Sequence, residues 1–243
     1  MATSLSFLFV FVLMAAYYIL RPVRDAMASD WTDVQVSWLW TINFFASTAF
    51  VAFYGWIVSR IQLRLVVPAV YTFFSLSFIA FYFSSWTAVT ADWVDKIFYV
   101  WVSVFALFHV SVFWSFMAET FNKNQAARLF SVIAAGASLG AIIGPLISAA
   151  LVQVLKPQSM MLVCATMILI PLPISAKLYV LRDTALENNN LSPVSPESSI
   201  GGNPLHGFVE FVTNPYLLGI GMFIILYTGI GSFVYLEQKN LLA

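Results

Sequence analysis

Seven almost wholly apolar stretches recur along the chain, at 5–26, 36–58, 65–85, 97–117, 130–154, 158–181 and 215–236. A bilayer's hydrocarbon core is crossed by about 20 residues of α-helix, so each stretch is long enough to span it. An unpaired backbone N–H or C=O in hydrocarbon costs several kcal/mol, which restricts spanning structures to helices and closed barrels. Unbroken apolar runs of this length, without the alternation of a barrel strand, are helices. The expected fold class is therefore all-α integral membrane: a six-helix N-terminal bundle followed by a seventh transmembrane helix.

Composition narrows the function. Hydrophobic residues make up 61% of the chain and charged residues 9%, against about 45–50% and 25% in a soluble domain. Eleven Lys and Arg are matched by eleven Asp and Glu, and no basic block occurs, which argues against a nucleic-acid partner. The single cysteine, Cys164, excludes a disulfide scaffold or a cysteine metal site. No motif calls for a cofactor or a metal, and the first expected partner is the lipid bilayer itself.

Loop charges set an expected orientation. Arg60, Arg64, Lys123, Arg128, Lys177 and Arg182 fall on one side, and Lys96, Lys156 and Lys239 on the other. This count sets aside Arg21 and Arg24. Lys and Arg collect in cytoplasmic loops, so a cytoplasmic N-terminus is expected, in a multi-pass protein of a cell membrane, the inner membrane in bacteria. A secretory signal is the alternative for the first stretch, because Ala26-Met27-Ala28 imitates a cleavage site. No Lys or Arg precedes that stretch, however, and Arg21 and Arg24 stand where a cleavage region is neutral. Residues 182–214, with Asn188-Asn189-Asn190 and Gly201-Gly202, have the composition of a cytoplasmic linker. They separate a bundle at 1–181 from a helix at 215–243, opened by Asn214 and Pro215. One helix after a linker leads us to expect a missing C-terminal half as a further partner.

Chemistry is to be sought where polar groups lie at membrane depth, since an ionisable residue there costs about 2.5–3.5 kcal/mol on insertion scales. At the end of the first stretch, helical spacing places Tyr17, Tyr18, Arg21, Arg24 and Asp25 along one face. Pro22 removes the hydrogen bond to the Tyr18 carbonyl beside these charges. The arrangement suits a cationic site for a small anionic solute, with Asp25 neutralising one arginine between loads. The alternative is that both arginines snorkel to headgroups and pair with Asp25 there. Asn43 and His109 are solitary polar residues in the second and fourth stretches. Each is accounted for by an interhelical hydrogen bond of about 0.6 kcal/mol, or else by contact with solute or proton.

Gly136, Gly140 and Gly144, followed by Pro145, form a four-residue-spaced stripe on which a neighbouring helix can pack closely. Gly136-Ala137-Ser138-Leu139-Gly140 also matches the nucleophile elbow of serine hydrolases. That elbow needs a strained strand-to-helix turn, whereas this serine is expected inside a helix, so no enzyme is expected. Glu119 closes the fourth stretch. It is either a plain loop acid or a gating residue paired with Arg128 or Arg60.

The loop Gly55-Trp56-Ile57-Val58-Ser59-Arg60-Ile61-Gln62-Leu63-Arg64 resembles the Gly-x-x-x-Asp-Arg-x-Gly-Arg-Arg/Lys signature of the major facilitator superfamily. Gly55, Arg60 and Arg64 match, while Ser59 and Gln62 replace the Asp and Gly. The glycine stripe is similar to that superfamily's fifth-helix Gly-x-x-x-Gly-x-x-x-Gly-Pro motif, common in antiporters. Two further segments resemble the ATP/ADP translocases of plastids and intracellular bacteria. Ile19-Leu20-Arg21-Pro22-Val23-Arg24-Asp25 is similar to Ile-Leu-Arg-Asp-Thr-Lys-Asp of their first helix. Phe113-Trp114-Ser115-Phe116-Met117-Ala118-Glu119, with Ala126-Ala127-Arg128-Leu129-Phe130, is similar to Phe-Trp-Gly-Phe-Ala-Asn-Glu/Gln and Ala-Lys-Arg-Phe. The resemblance implies that Arg24 stands at a substrate-binding lysine and Glu119 at a polar fourth-helix position. It implies a secondary transporter working by alternating access, and nucleotide exchange as its reaction. A proton-coupled transporter of an unrelated solute, or a membrane sensor or scaffold that no longer transports, are the other readings.

Overall fold

The computed structural model describes residues 1–58, 63–85, 91–185 and 206–242. Among them lie α1 (Ala2–Ser29), α2 (Asp33–Val58), α3 (Leu63–Ser84), α4 (Ala91–Thr120), α5 (Lys123–Val152), α6 (Ser159–Leu169), α7 (Pro171–Ala185), α8 (His206–Thr213) and α9 (Pro215–Leu242). Seven membrane-crossing lengths of helix result, with α6 and α7 combining into one at Ser159–Arg182. The protein is an all-α membrane protein.

Local chemistry sets the helix ends. Asn122 and Gln125 form a reciprocal capping box at α5: the Gln125 N–H donates to Asn122 Oδ1 at 2.9 Å, and the Asn122 N–H donates to Gln125 Oε1 at 3.1 Å. Thr32 and Gln35 do the same at α2. Asn214 Oδ1 accepts the Tyr216 N–H at 3.0 Å to open α9 ahead of Pro215. The sixth stretch, expected as one helix over 158–181, is instead broken at Ile170. Pro171 and Pro173 supply no N–H to the Met167 and Leu169 carbonyls, and the Ile170 N–H closes a tighter turn onto Met167 O at 3.1 Å. The expected linker at 182–214 is helical at both its ends. α7 runs on to Ala185, and α8 lies at its far end with Phe211 against Gly221 of α9.

At the centre of the bundle stands α1, packed against α4, α5, α6 and α7. Phe9 is fully buried and meets Tyr71 of α3 and Phe113 of α4 edge-on, at 5.9 Å and 5.3 Å between ring centres. Lipid tails are as apolar as these side chains, so close packing and hydrogen bonds must hold the helices together. The glycine stripe supplies the closest approach. A Cβ on Gly136 would lie 2.6 Å from the Phe7 carbonyl, and one on Gly144 2.7 Å from the Ala15 carbonyl. One on Gly140 would collide with the Phe11 carbonyl and come within 2.8 Å of the Met14 Cβ. Further along the same seam, Ser148 donates to the Ile19 carbonyl at 3.3 Å, and Pro145 lies beside it within α5. By contrast α9 has none of its span buried and packs on α8.

Helix propensity alone makes Gly→Ala stabilising by about 1 kcal/mol, but packing reverses the expected sign along the stripe, where a Cβ meets backbone at Gly136, Gly140 and Gly144. Gly140→Ala should lower the melting temperature in detergent, at a cost of about 1–3 kcal/mol of overpacking. A Cβ on Gly229 meets nothing within 4 Å, so Gly229→Ala should leave melting unchanged or raise it. Fluorescence-detected thermal unfolding of the two variants decides the matter.

Candidate functional site

A cavity of about 600 Å³ opens between α1, α2, α4 and α9. Arg21 and Arg24 reach it from α1, Trp40 and Asn43 from α2, Tyr99 and Ser103 from α4, and Thr228 and Ser232 from α9. Tyr99 and Ser103 stand one helical turn apart, as do Arg21 and Arg24, so each helix presents a single polar face to the space.

Arg24 is held on three sides. Its Nε and Nη2 both donate to Asp25 Oδ1, at 3.0 Å and 2.7 Å. Its Nη1 donates to Ser103 Oγ at 3.2 Å, and Ser103 in turn donates to the Tyr99 carbonyl at 3.0 Å. The guanidinium lies 5.1 Å from the centre of the Tyr99 ring, whose hydroxyl accepts from Trp40 Nε1 at 3.0 Å. Only 13% of the Arg24 side chain is exposed, against 44% for Arg21. Arg24 is thus turned inward onto α4, whereas a snorkelling arginine turns away from its bundle.

Arg21 is attached more loosely. It faces the Tyr18 ring at 5.6 Å and stands 3.7 Å from Asp25 Oδ2. Asp25 therefore serves two cations with one carboxylate, and the cluster of Arg21, Arg24 and Asp25 carries one positive charge in excess. An anion entering the cavity meets one guanidinium already oriented and a second free to close on it, the geometry of charge-assisted, multi-donor recognition.

Other expected residues are placed differently. Tyr17 points away from the cavity and lies against His109, 5.0 Å between ring centres. His109 is buried at the α1–α4 seam and lines none of the cavities described. Its Nδ1 pairs with the Phe105 carbonyl at 2.9 Å, which makes Nδ1 the donor and leaves Nε2 an acceptor without a partner among the described residues. Glu119, half-buried at the end of α4, makes no ion pair with Arg128, which is exposed. The cation whose field reaches Glu119 is Arg182 of α7, because α7 lies alongside α4 while the capped start of α5 leaves Arg128 outside. Gly55 lies in the last turn of α2. Arg60 and the Arg64 side chain lie outside the described residues. Ser138 sits within α5, where there is no strand-to-helix turn for an elbow.

Tyr99, Ser103, Trp40, Thr228 and Ser232 were not singled out in the sequence. Ser103 and Tyr99 carry the one signal that was present, a polar pair at four-residue spacing in the fourth stretch. Thr228 and Ser232 show the same four-residue spacing in the seventh stretch, but only the fold brings them to the cavity that Arg24 lines.

Multi-pass helices around a cavity with an off-centre cationic patch define a membrane transporter. The family model of the Major Facilitator Superfamily matches residues 6–241, and the chain belongs to that superfamily. Comparison with curated proteins and with solved structures returns no match.

Removing either anchor of Arg24 should be visible as stability. Asp25→Ala leaves a buried guanidinium without its counter-charge and should cost about 1.5–3 kcal/mol. Ser103→Ala removes one interhelical bond and should cost about 0.6 kcal/mol. Melting of the two variants in detergent should therefore rank Asp25→Ala well below Ser103→Ala, and the reverse order would mean that Ser103 is the principal anchor.

Proposed function

We propose that this protein is a secondary transporter of a small anionic metabolite, carried by alternating access. The observation that supports the reading is Arg24, desolvated, bonded to Asp25 and Ser103, and facing a cavity that Arg21 shares. In this reading Arg24 and Arg21 bind the anion, and Asp25 releases one of them on loading and takes it back on unloading. Asn43 lines the approach, and Tyr18, outside the cavity lining, stacks on Arg21. Tyr17 and His109 support α1 from behind, and Gly136, Gly140, Gly144 and Pro145 hold α1 to α5. Gly55, in the last turn of α2, and Arg64, in the first turn of α3, flank Arg60 on the inner side, and Glu119 acts at the inner end of the bundle. Nucleotide exchange, of the ATP/ADP type, is the specific reaction suggested by the likeness of the first and fourth helices to the ATP/ADP translocases.

Loss of a charge-assisted hydrogen-bonding partner of this kind corresponds to about ten- to a hundredfold in affinity. Arg24→Ala should show that loss in uptake and binding of a labelled nucleotide, whereas Arg24→Lys retains charge but not the fork and should fall between. Unchanged uptake by Arg24→Ala would remove the anion site. Exchange further requires that unlabelled nucleotide on the far side accelerate uptake.

A second reading, proton coupling, is supported by the unpartnered Nε2 of His109. Under it, uptake collapses with a protonophore and does not respond to solute on the far side.

For orientation, we propose a cytoplasmic N-terminus in the bacterial inner membrane, with 182–214 on the same side. Cys164 is buried, so a cysteine introduced at exposed Asn124 reports its side cleanly. An impermeant maleimide should label it only after the cell membrane is opened, and labelling of intact cells would reverse the topology.

A further inference from the structure

The cationic cavity does not end at the arginines. Trp40 and Asn43 also line a second space of about 400 Å³, bounded further along α2 by Ser47, Thr48 and Val51. The two spaces form one trough along α2. From Trp40 to Val51 the helix rises about 16 Å, at about 1.5 Å per residue.

Its two ends offer different chemistry. Both arginines belong to the first space, and the second is lined by no charged residue. Asn43 Oδ1 accepts from Ser47 Oγ at 3.4 Å, which leaves the two amide N–H groups of Asn43 as donors into the trough. Thr48 Oγ1 donates to the Phe44 carbonyl at 2.8 Å, which leaves its oxygen as an acceptor. Phe44, Val51 and Leu107 supply apolar wall between these groups. A bare inorganic anion would use the arginine end and leave the rest of this surface unmatched.

Resting on the anion site proposed above, we infer that the solute is a two-part organic anion. Its phosphate or carboxylate lies on Arg21 and Arg24, and its neutral, hydroxyl-bearing body extends along α2 onto Asn43 and Thr48. The body must both accept from an amide N–H and donate to a hydroxyl oxygen, as the hydroxyls of a sugar do. Asn43 and Thr48 are then the specificity residues, and the arginines supply affinity common to all anions.

The test compares two probes on the purified full chain in detergent, inorganic phosphate and glucose 6-phosphate, titrated by thermal shift. Glucose 6-phosphate should bind the parent about tenfold or more tightly than phosphate, equivalent to about 1.4 kcal/mol. In Asn43→Leu and in Thr48→Val that ratio should fall toward one. Thr48→Val is close in volume and keeps its helical position, so a melting temperature near the parent's guards against misfolding. Equal affinity for the two probes in the parent overturns the two-part solute, as does a preference that persists in both variants, and either result leaves the anion site standing. Binding of neither probe to the parent overturns the anion site itself, and the two-part solute falls with it.

Discussion

Hydrocarbon gives helices no hydrophobic reason to associate, so the bundle depends on backbones coming close enough for dispersion to act between them. That closeness is achieved at one seam, where Gly136, Gly140 and Gly144 of α5 lie directly on the carbonyls of Phe7, Phe11 and Ala15. With no Cβ on three successive turns, α5 presents a groove into which α1 fits. The consequence reaches the far end of the helix. α1 is the element that carries Arg21, Arg24 and Asp25, and its rotation about its own axis is set by that groove together with the Ser148 bond to the Ile19 carbonyl. A different rotation would point Arg24 at lipid.

Given that rotation, the arginines acquire unequal environments. Arg24 is fixed by Asp25, Ser103 and the Tyr99 ring, so its donors are oriented before any solute arrives. Arg21 lacks such anchors and keeps freedom to move. A transporter needs this combination, because a site in which every group is locked binds without releasing, and one in which none is locked pays the full ordering cost at each cycle. Asp25 sits between the two cations as an internal anion, and in the reading proposed above it is the group that a solute anion displaces.

The remaining polar groups share a common logic. Tyr99, Ser103 and Asn43 are each half-engaged within the bundle, as the Trp40–Tyr99, Arg24–Ser103 and Asn43–Ser47 bonds record. Such residues satisfy part of their capacity internally and retain donors or acceptors toward the cavity. His109 differs because its unpartnered nitrogen faces packed protein rather than the cavity. It therefore belongs to the structure of the α1–α4 seam.

Membrane residence, the helical class and the number of spans were all legible in the chain, because backbone hydrogen bonds have no alternative in lipid and the length of each apolar run measures the bilayer. The clustering of Arg21, Arg24 and Asp25 was legible too, since residues three and four apart on a helix share a face whatever surrounds them. Local turn chemistry escaped that reading: Pro171 and Pro173 divide a run that hydropathy alone joins. The partners of those charges were decided only by tertiary structure. Ser103 and Tyr99 stand far from Arg24 in sequence, and Thr228 and Ser232 farther still. Helical periodicity assigns a residue to a face, but which helix that face meets is set by packing, of which the glycine seam between α1 and α5 is the closest part.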